Sequence, residues 1–277
     1  MSNIRTLALL NLIIISLNFV WIVLLDSQNI FGHSIYLSLN NLNGYLILPE
    51  FSFKIWIFIA ANMILLGYLM FRASQKEHLN VLTLKKIVKI GNLLIINQLF
   101  CGLSMVLKLN DYLFISILCT LVCIGTILII NHRIEIQNIK TNTILRYFLK
   151  LTFGLYLGWL IFVMVTNSSA LIKLFDLHAY PLIEYLLNVF ILVLSTAISI
   201  YYSYKKHLPT VAAVQTWGIF GLIYYSLEND IVHKININPV LYVLFLIISS
   251  FTIYNYIKCN VKQKPKDIPN QAPSSIP

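Results

Sequence analysis

One carboxylate, Glu184, falls inside a long apolar stretch of this chain, and Asn188 follows it one helical turn later on the same face. An ionisable group in such a setting is costly to hold, turns toward the interior of a helix bundle, and marks a polar path or a site. If its helix begins only near Leu186, Glu184 lies instead in the external headgroup layer, and the sequence leaves both placements open. Cys119 and Cys123, also a turn apart, would offer two soft thiolates to an ion such as Cu(I). No histidine accompanies them, and cysteine packs well as a small apolar group. The six histidines fall in loops with neither His-x-x-His nor His-Glu-x-x-His spacing, so zinc hydrolase chemistry has no support. There is no phosphate-cradling glycine loop, nucleophile elbow or pair of catalytic carboxylates. The chain reads more readily as a binding or transporting protein than as an enzyme, and no particular cofactor is implied.

Trp56, Trp159 and Trp217 also lie within apolar stretches. Indoles there line a cavity and stack on a flat hydrophobic molecule, or else they anchor at the headgroups and pack between helices. Trp56, close to Pro49, sits at interfacial depth. Tyr156, Trp159, Val163 and Asn167 fall near one helical face. The amides of Asn62, Asn92, Asn97, Gln98, Asn131, Asn167 and Gln215 are suited to holding a ligand or to joining helices, at about 1 kcal/mol per interhelical contact. Gly154 and Gly158 make a small-xxx-small step, which admits a neighbouring helix closely.

What must position these residues follows from composition. Hydrophobic residues make up 58% of the 277 and charged residues 11%, about half the charge of a soluble domain. Ten acidic residues cannot cover the surface of a water-soluble protein of this length, so lipid is the solvent. The net charge of +10 sits in short basic clusters between apolar runs, which suits anionic headgroups and gives no continuous groove for nucleic acid. Three of the four cysteines lie in apolar runs, and no disulfide framework is implied.

Crossing the hydrocarbon core takes about 20 mainly apolar residues in a helix, because every backbone polar group must be paired internally. Eight runs qualify, at about 4–25, 53–71, 87–107, 112–130, 148–165, 182–202, 211–227 and 240–257. The first is a retained helix, since Asp26, Ser27, Gln28 and Asn29 make a poor cleavage site. With both termini cytoplasmic, 16 of the 20 Lys and Arg fall inside and only Lys54, Lys108, Lys173 and Lys234 outside, as cytoplasmic retention of basic residues requires. The expectation is an all-α, polytopic transmembrane bundle of about eight helices over 1–259, multi-pass in the cell membrane. A loop over 26–52 is positioned to fold over the outer mouth. A Pro-rich tail over 260–277 is expected to be disordered.

Pro49, Phe53 and Trp56 form a Pro-x-x-x-Phe-x-x-Trp pattern at the opening of the second helix. Gly154, Tyr156, Gly158 and Trp159, with Asn167 beyond, and Gln215, Trp217, Gly218 and Gly221 make two further stretches. Together they resemble the tryptophan-rich sensory proteins, relatives of the TspO/MBR translocator family, over about residues 45–230. The third helix departs from that pattern, with Gln98, Cys101 and Gly102 where relatives are Trp-rich, and compact relatives have five helices. The resemblance implies a lipophilic or aromatic small molecule, of the tetrapyrrole or sterol kind, held between helices. Trp56, Tyr156, Trp159, Asn167 and Trp217 are then the expected ligand-binding residues, joined by Glu184 for its charge. The alternative is a small-molecule permease using Glu184 and the amides as a polar pathway. Membrane lipids are the expected partners, and oligomerisation is left open.

Overall fold

In the computed structural model the chain is described over residues 2–27, 45–75, 81–138, 143–175, 180–228 and 236–261. Nine α-helices occur among them: α1 (Ser2–Ser27), α2 (Ile55–Gln75), α3 (Val81–Ile90), α4 (Leu93–Leu109), α5 (Leu113–Arg133), α6 (Thr143–Leu174), α7 (Pro181–Lys206), α8 (Pro209–Glu228) and α9 (Asn238–Val261). Residues 28–44 and the tail from 262 onward lie outside the described residues, and with them most of the expected outer loop and disordered tail.

The all-helical, polytopic architecture is as expected, with differences in how the runs are built. Six helices are each long and apolar enough to cross a membrane, namely α1, α2, α5, α6, α7 and α9. The third run is two helices, because α3 and α4 meet at a 47° bend. Gly91 stands at the break with φ +57°, a backbone conformation that glycine enters without a Cβ clash. The seventh run is α8, which length and composition alone do not qualify as a span. It packs among α6, α7 and α9, so less of its surface meets lipid. Glu184 falls inside α7, which begins at Pro181 rather than near Leu186. His132 belongs to the last turn of α5, and His207 caps α7 in the left-handed conformation, so neither is a simple loop residue.

Helix α6 is the hub. Its residues 152–163 are all buried, and it packs against α2, α5, α7 and α8. Helices α1, α2, α4 and α5 lie to one side of it and α7, α8 and α9 to the other. The α6–α8 crossing is close because both helices present glycine. A Cβ on Gly158 would stand 2.9 Å from the carbonyl oxygen of Val211, and one on Gly218 would enter the ring of Phe162. The small-xxx-small step is therefore the α6 half of a two-sided contact.

Apolar side chains such as Leu17, Ile57, Phe114, Phe190 and Leu246 are exposed around the bundle, whereas the buried face of α7 is polar. Glu184, Asn188, Ser195, Thr196, Ser199 and Ser203 face inward, with only Leu192 among them. Gln215 of α8 donates to Ser195 (3.0 Å) and Thr196 (3.4 Å), and Asn255 of α9 donates to Ser203 (2.8 Å). Polar contacts inside and greasy ones outside are the pattern of a chain dissolved in lipid.

Candidate ligand-binding site

Ahead of α2 the chain enters the bundle. Residues 45–49 are buried, the Leu46 N–H donates to Ser169 Oγ of α6 (3.3 Å), and a 3-10 turn, Glu50–Lys54, starts behind an extended Pro49. Gly221 of α8 makes room for this wedge, since a Cβ there would sit 3.1 Å from Leu48 Cδ2 and run into Ser52. Phe53 and Trp56, three residues apart, emerge on one side. Phe53 meets Trp159 edge-on (ring centroids 6.0 Å), and Trp56 packs on both Tyr156 (6.1 Å) and Trp159 (6.4 Å). Trp159 is stacked in turn on Phe162. Such aromatic contacts add about 0.5–1.5 kcal/mol each beyond area burial. Trp56 is thus half-buried against α6 instead of being a free interfacial anchor.

In front of this aromatic wall lies a cavity of about 320 Å³. Helix α1 supplies Ile15, Asn18, Phe19 and Ile22; α2 supplies Trp56, Ile59, Ala60 and Met63; Phe53 lines it from the 3-10 turn. Gln98 of α4 and Tyr156 of α6 close the floor, while Glu50 and Lys54, both exposed, stand at the rim. The volume and the mostly apolar lining with a few placed polar groups are those of a small-molecule pocket.

The floor is a hydrogen-bonded chain across four helices. Asn18 Nδ2 donates to Gln98 Oε1 (2.9 Å), and Gln98 Nε2 donates to Asn97 Oδ1 (3.0 Å), which also accepts from the Tyr156 hydroxyl (2.8 Å). Asn97 Nδ2 donates to the Cys123 carbonyl (2.9 Å) and to Thr126 Oγ1 (2.8 Å) on α5. All four amide positions of Asn97, which is fully buried, are therefore used.

The expected site residues do not converge on one cavity. Trp56 and Tyr156 line it, and Trp159 backs Trp56 from behind with its indole N–H buried and unpartnered. Trp217 lies across the wedge, its N–H donating to the Ser52 carbonyl (3.3 Å) and its ring against Phe51 and Phe220. Asn167 is buried on α6 away from the lining, with neither amide atom partnered. Glu184 is buried 3.9 Å from Lys173, in the α6–α7 contact. Asn18, Phe19 and Met63 had no signal in the sequence beyond their place in apolar runs.

A family model described as TSPO-like protein matches residues 8–257, nearly the whole chain and all nine helices. The chain belongs to this family. Neither the curated proteins nor the solved structures give a match. As a TSPO-like protein with six helices among the described residues long and apolar enough to cross a membrane, it is a multi-pass membrane protein in contact with lipid. Of its wedge and α6, Glu50, Phe53, Lys54 and Tyr156 reach the pocket, with Trp159 packed behind Trp56.

Proposed function

We propose that this protein binds a lipophilic or aromatic small molecule between α1, α2, α4 and α6, as a tryptophan-rich sensory type of TSPO-like protein. The observation that carries the reading is the apolar cavity of about 320 Å³, walled by Phe53 and Trp56 and floored by Asn18, Gln98 and Tyr156. A flat hydrophobic body fits against the Trp56 ring, and the Asn18, Gln98 and Tyr156 floor orients it. The cavity is built on packed helices, so little ordering accompanies binding, which favours affinity.

Transport has a separate observation in its favour, the inward polar face of α7 from Glu184 to Ser203. Most of those groups, however, already serve as helix-to-helix contacts with Gln215, Asn255 and Lys173. Binding is therefore the better-supported function, and α7 is read as structural.

A thermal-shift screen of lipophilic aromatic compounds on the purified protein tests this. Stabilising hits are expected, and Met63→Trp, which fills the cavity, should weaken them at least tenfold. A screen without hits, or hits that ignore Met63→Trp, would overturn the reading.

A further inference from the structure

The hydrogen-bonded floor has a direction, and that direction is set far from the cavity. The carbonyl of Cys123 can only accept, so the amide of Asn97 must turn its NH2 toward α5 and its oxygen toward Gln98 and Tyr156. Gln98 and Tyr156 must then both donate to that oxygen, which leaves the Tyr156 hydroxyl with no hydrogen to give elsewhere. Because Gln98 Nε2 is turned to Asn97, its oxygen faces Asn18, and Asn18 donates in its turn. The oxygen of Asn18 is turned against Gly102 on α4, where an added Cβ would approach it to 2.7 Å. One acceptor-only group on α5 thus orients side chains on α4, α6 and α1.

What remains on the cavity side is N–H. Each amide has a second hydrogen, and their neighbours are the phenol oxygen of Tyr156 for Gln98 and the sulfur of Cys101, a weak acceptor, for Asn18. The floor has no uncommitted O–H, the Asn97 oxygen accepts twice, and the Asn18 oxygen is turned against Gly102, so the floor's donors toward a ligand are N–H groups only. A ligand carbonyl, ether oxygen or ring nitrogen is a better partner for these hydrogens than a thiol sulfur. A ligand N–H or O–H finds only the remaining lone pairs of Gln98 Oε1 and the Tyr156 hydroxyl, on oxygens already engaged with Asn18 and Asn97.

We propose that the cavity favours lipophilic molecules carrying a hydrogen-bond acceptor at the buried end over those carrying a donor there, with Asn18 as the principal donor and Asn97 as the positioning residue that sets the polarity. This deepens the ligand-binding reading and rests on it.

Three rigid tricyclic compounds of nearly one shape separate the possibilities: fluorenone, with an acceptor; fluorene, with neither; and carbazole, with a donor. Dissociation constants would be measured by equilibrium dialysis against the protein in lipid nanodiscs, corrected with empty nanodiscs. Fluorenone should bind roughly tenfold more tightly than fluorene, the size of one well-placed hydrogen bond, and more tightly than carbazole. Asn18→Leu should erase the fluorenone advantage, read as the ratio of the fluorenone and fluorene dissociation constants within that variant. Tyr156→Phe should keep the advantage, because the hydroxyl hydrogen belongs to Asn97. Equal binding of all three, a preference for carbazole, or an advantage lost in Tyr156→Phe but kept in Asn18→Leu would overturn the polarity while leaving ligand binding in place. Failure of all three to bind would overturn the binding reading and this inference together.

Discussion

Among single residues, the contrast between Asn97 and Trp159 shows how burial without lipid or water nearby sets the value of a polar group. Both are fully buried, yet Asn97 has every hydrogen-bonding position filled and Trp159 has an indole N–H with no partner. Asn97→Leu removes the acceptor shared by Tyr156 and Gln98 and strands their donors, at about 1–3 kcal/mol for each buried group left unpaired. Trp159→Phe deletes a group that is already unpaired and keeps an aromatic ring against Phe53, Trp56 and Phe162. Expected unfolding free energies, from steric trapping in bicelles, fall by about 2–4 kcal/mol for Asn97→Leu and by less than about 1 kcal/mol for Trp159→Phe. A larger loss for Trp159→Phe than for Asn97→Leu would contradict this assignment. The site was legible in the sequence where spacing alone brings residues together: Phe53 with Trp56, and Tyr156 with Trp159, are three apart and share a face. Asn167 and Glu184 show the limit of that logic, since a shared helical face does not say which of several neighbours it meets. Asn18 left no trace, because one amide in an apolar run looks the same whether it faces a cavity, a helix or the headgroups.

Among the helices, glycine decides two features that hydropathy cannot register. An average over residues 84–109 stays apolar across Gly91 and Asn92, so the run reads as one helix, whereas the positive φ of Gly91 turns the chain and divides it into α3 and α4. The α6–α8 crossing was legible only by half, since Gly154 and Gly158 announce a close neighbour without naming it. That neighbour is α8, whose Gly218 and Gly221 admit Phe162 and the wedge at Leu48 and Ser52. Gly158→Ala would bring a methyl to 2.9 Å from a backbone oxygen and 3.1 Å from Val211 Cα, and backbone atoms cannot rotate away as a side chain does. Helix α8 has to shift, at about 1–3 kcal/mol for overpacking, and the wedge held by Trp217 and Gly221 shifts with it. Gly125 of α5 meets nothing within 4 Å, so Gly125→Ala is the matched control and should be neutral or slightly stabilising. The expected result is a lower melting temperature for Gly158→Ala with weaker ligand-induced stabilisation, and neither effect for Gly125→Ala. Equal behaviour of the two variants would mean that the crossing tolerates a methyl and does not position the pocket.

For the molecule as a whole, packing brings together groups that the sequence scatters, and they sort by charge. Lys86 donates to the Ile134 carbonyl (2.8 Å), Lys89 pairs with Glu135 (3.0 Å), Lys206 donates to Gln137 (3.3 Å), and Lys258 donates to Tyr204 (3.4 Å). These contacts gather the C-terminal half of α3 and the C-terminal ends of α5, α7 and α9 at one end of the bundle. Glu50 and Lys54, at the cavity rim, precede α2, and Arg72 lies in its last turn, so α2 runs from the rim toward the basic clusters. From the retention of Lys and Arg on the cytoplasmic side we propose that the basic end lies inside and the cavity rim outside. Lys54→Cys should accordingly react with a membrane-impermeant maleimide on intact cells, whereas Glu135→Cys should react only after permeabilisation. With Cys259 replaced by Ser, the remaining Cys101, Cys119 and Cys123 are buried, should stay unlabelled in the folded protein and give little background. The reverse pattern would place the rim on the cytoplasmic face, and labelling of both positions in intact cells would mean that the basic end is not retained inside. The expected orientation makes the pocket accessible from outside the cell or from the outer leaflet, so a compound that cannot cross the membrane, yet carries a lipophilic acceptor end, should still stabilise the protein in intact cells.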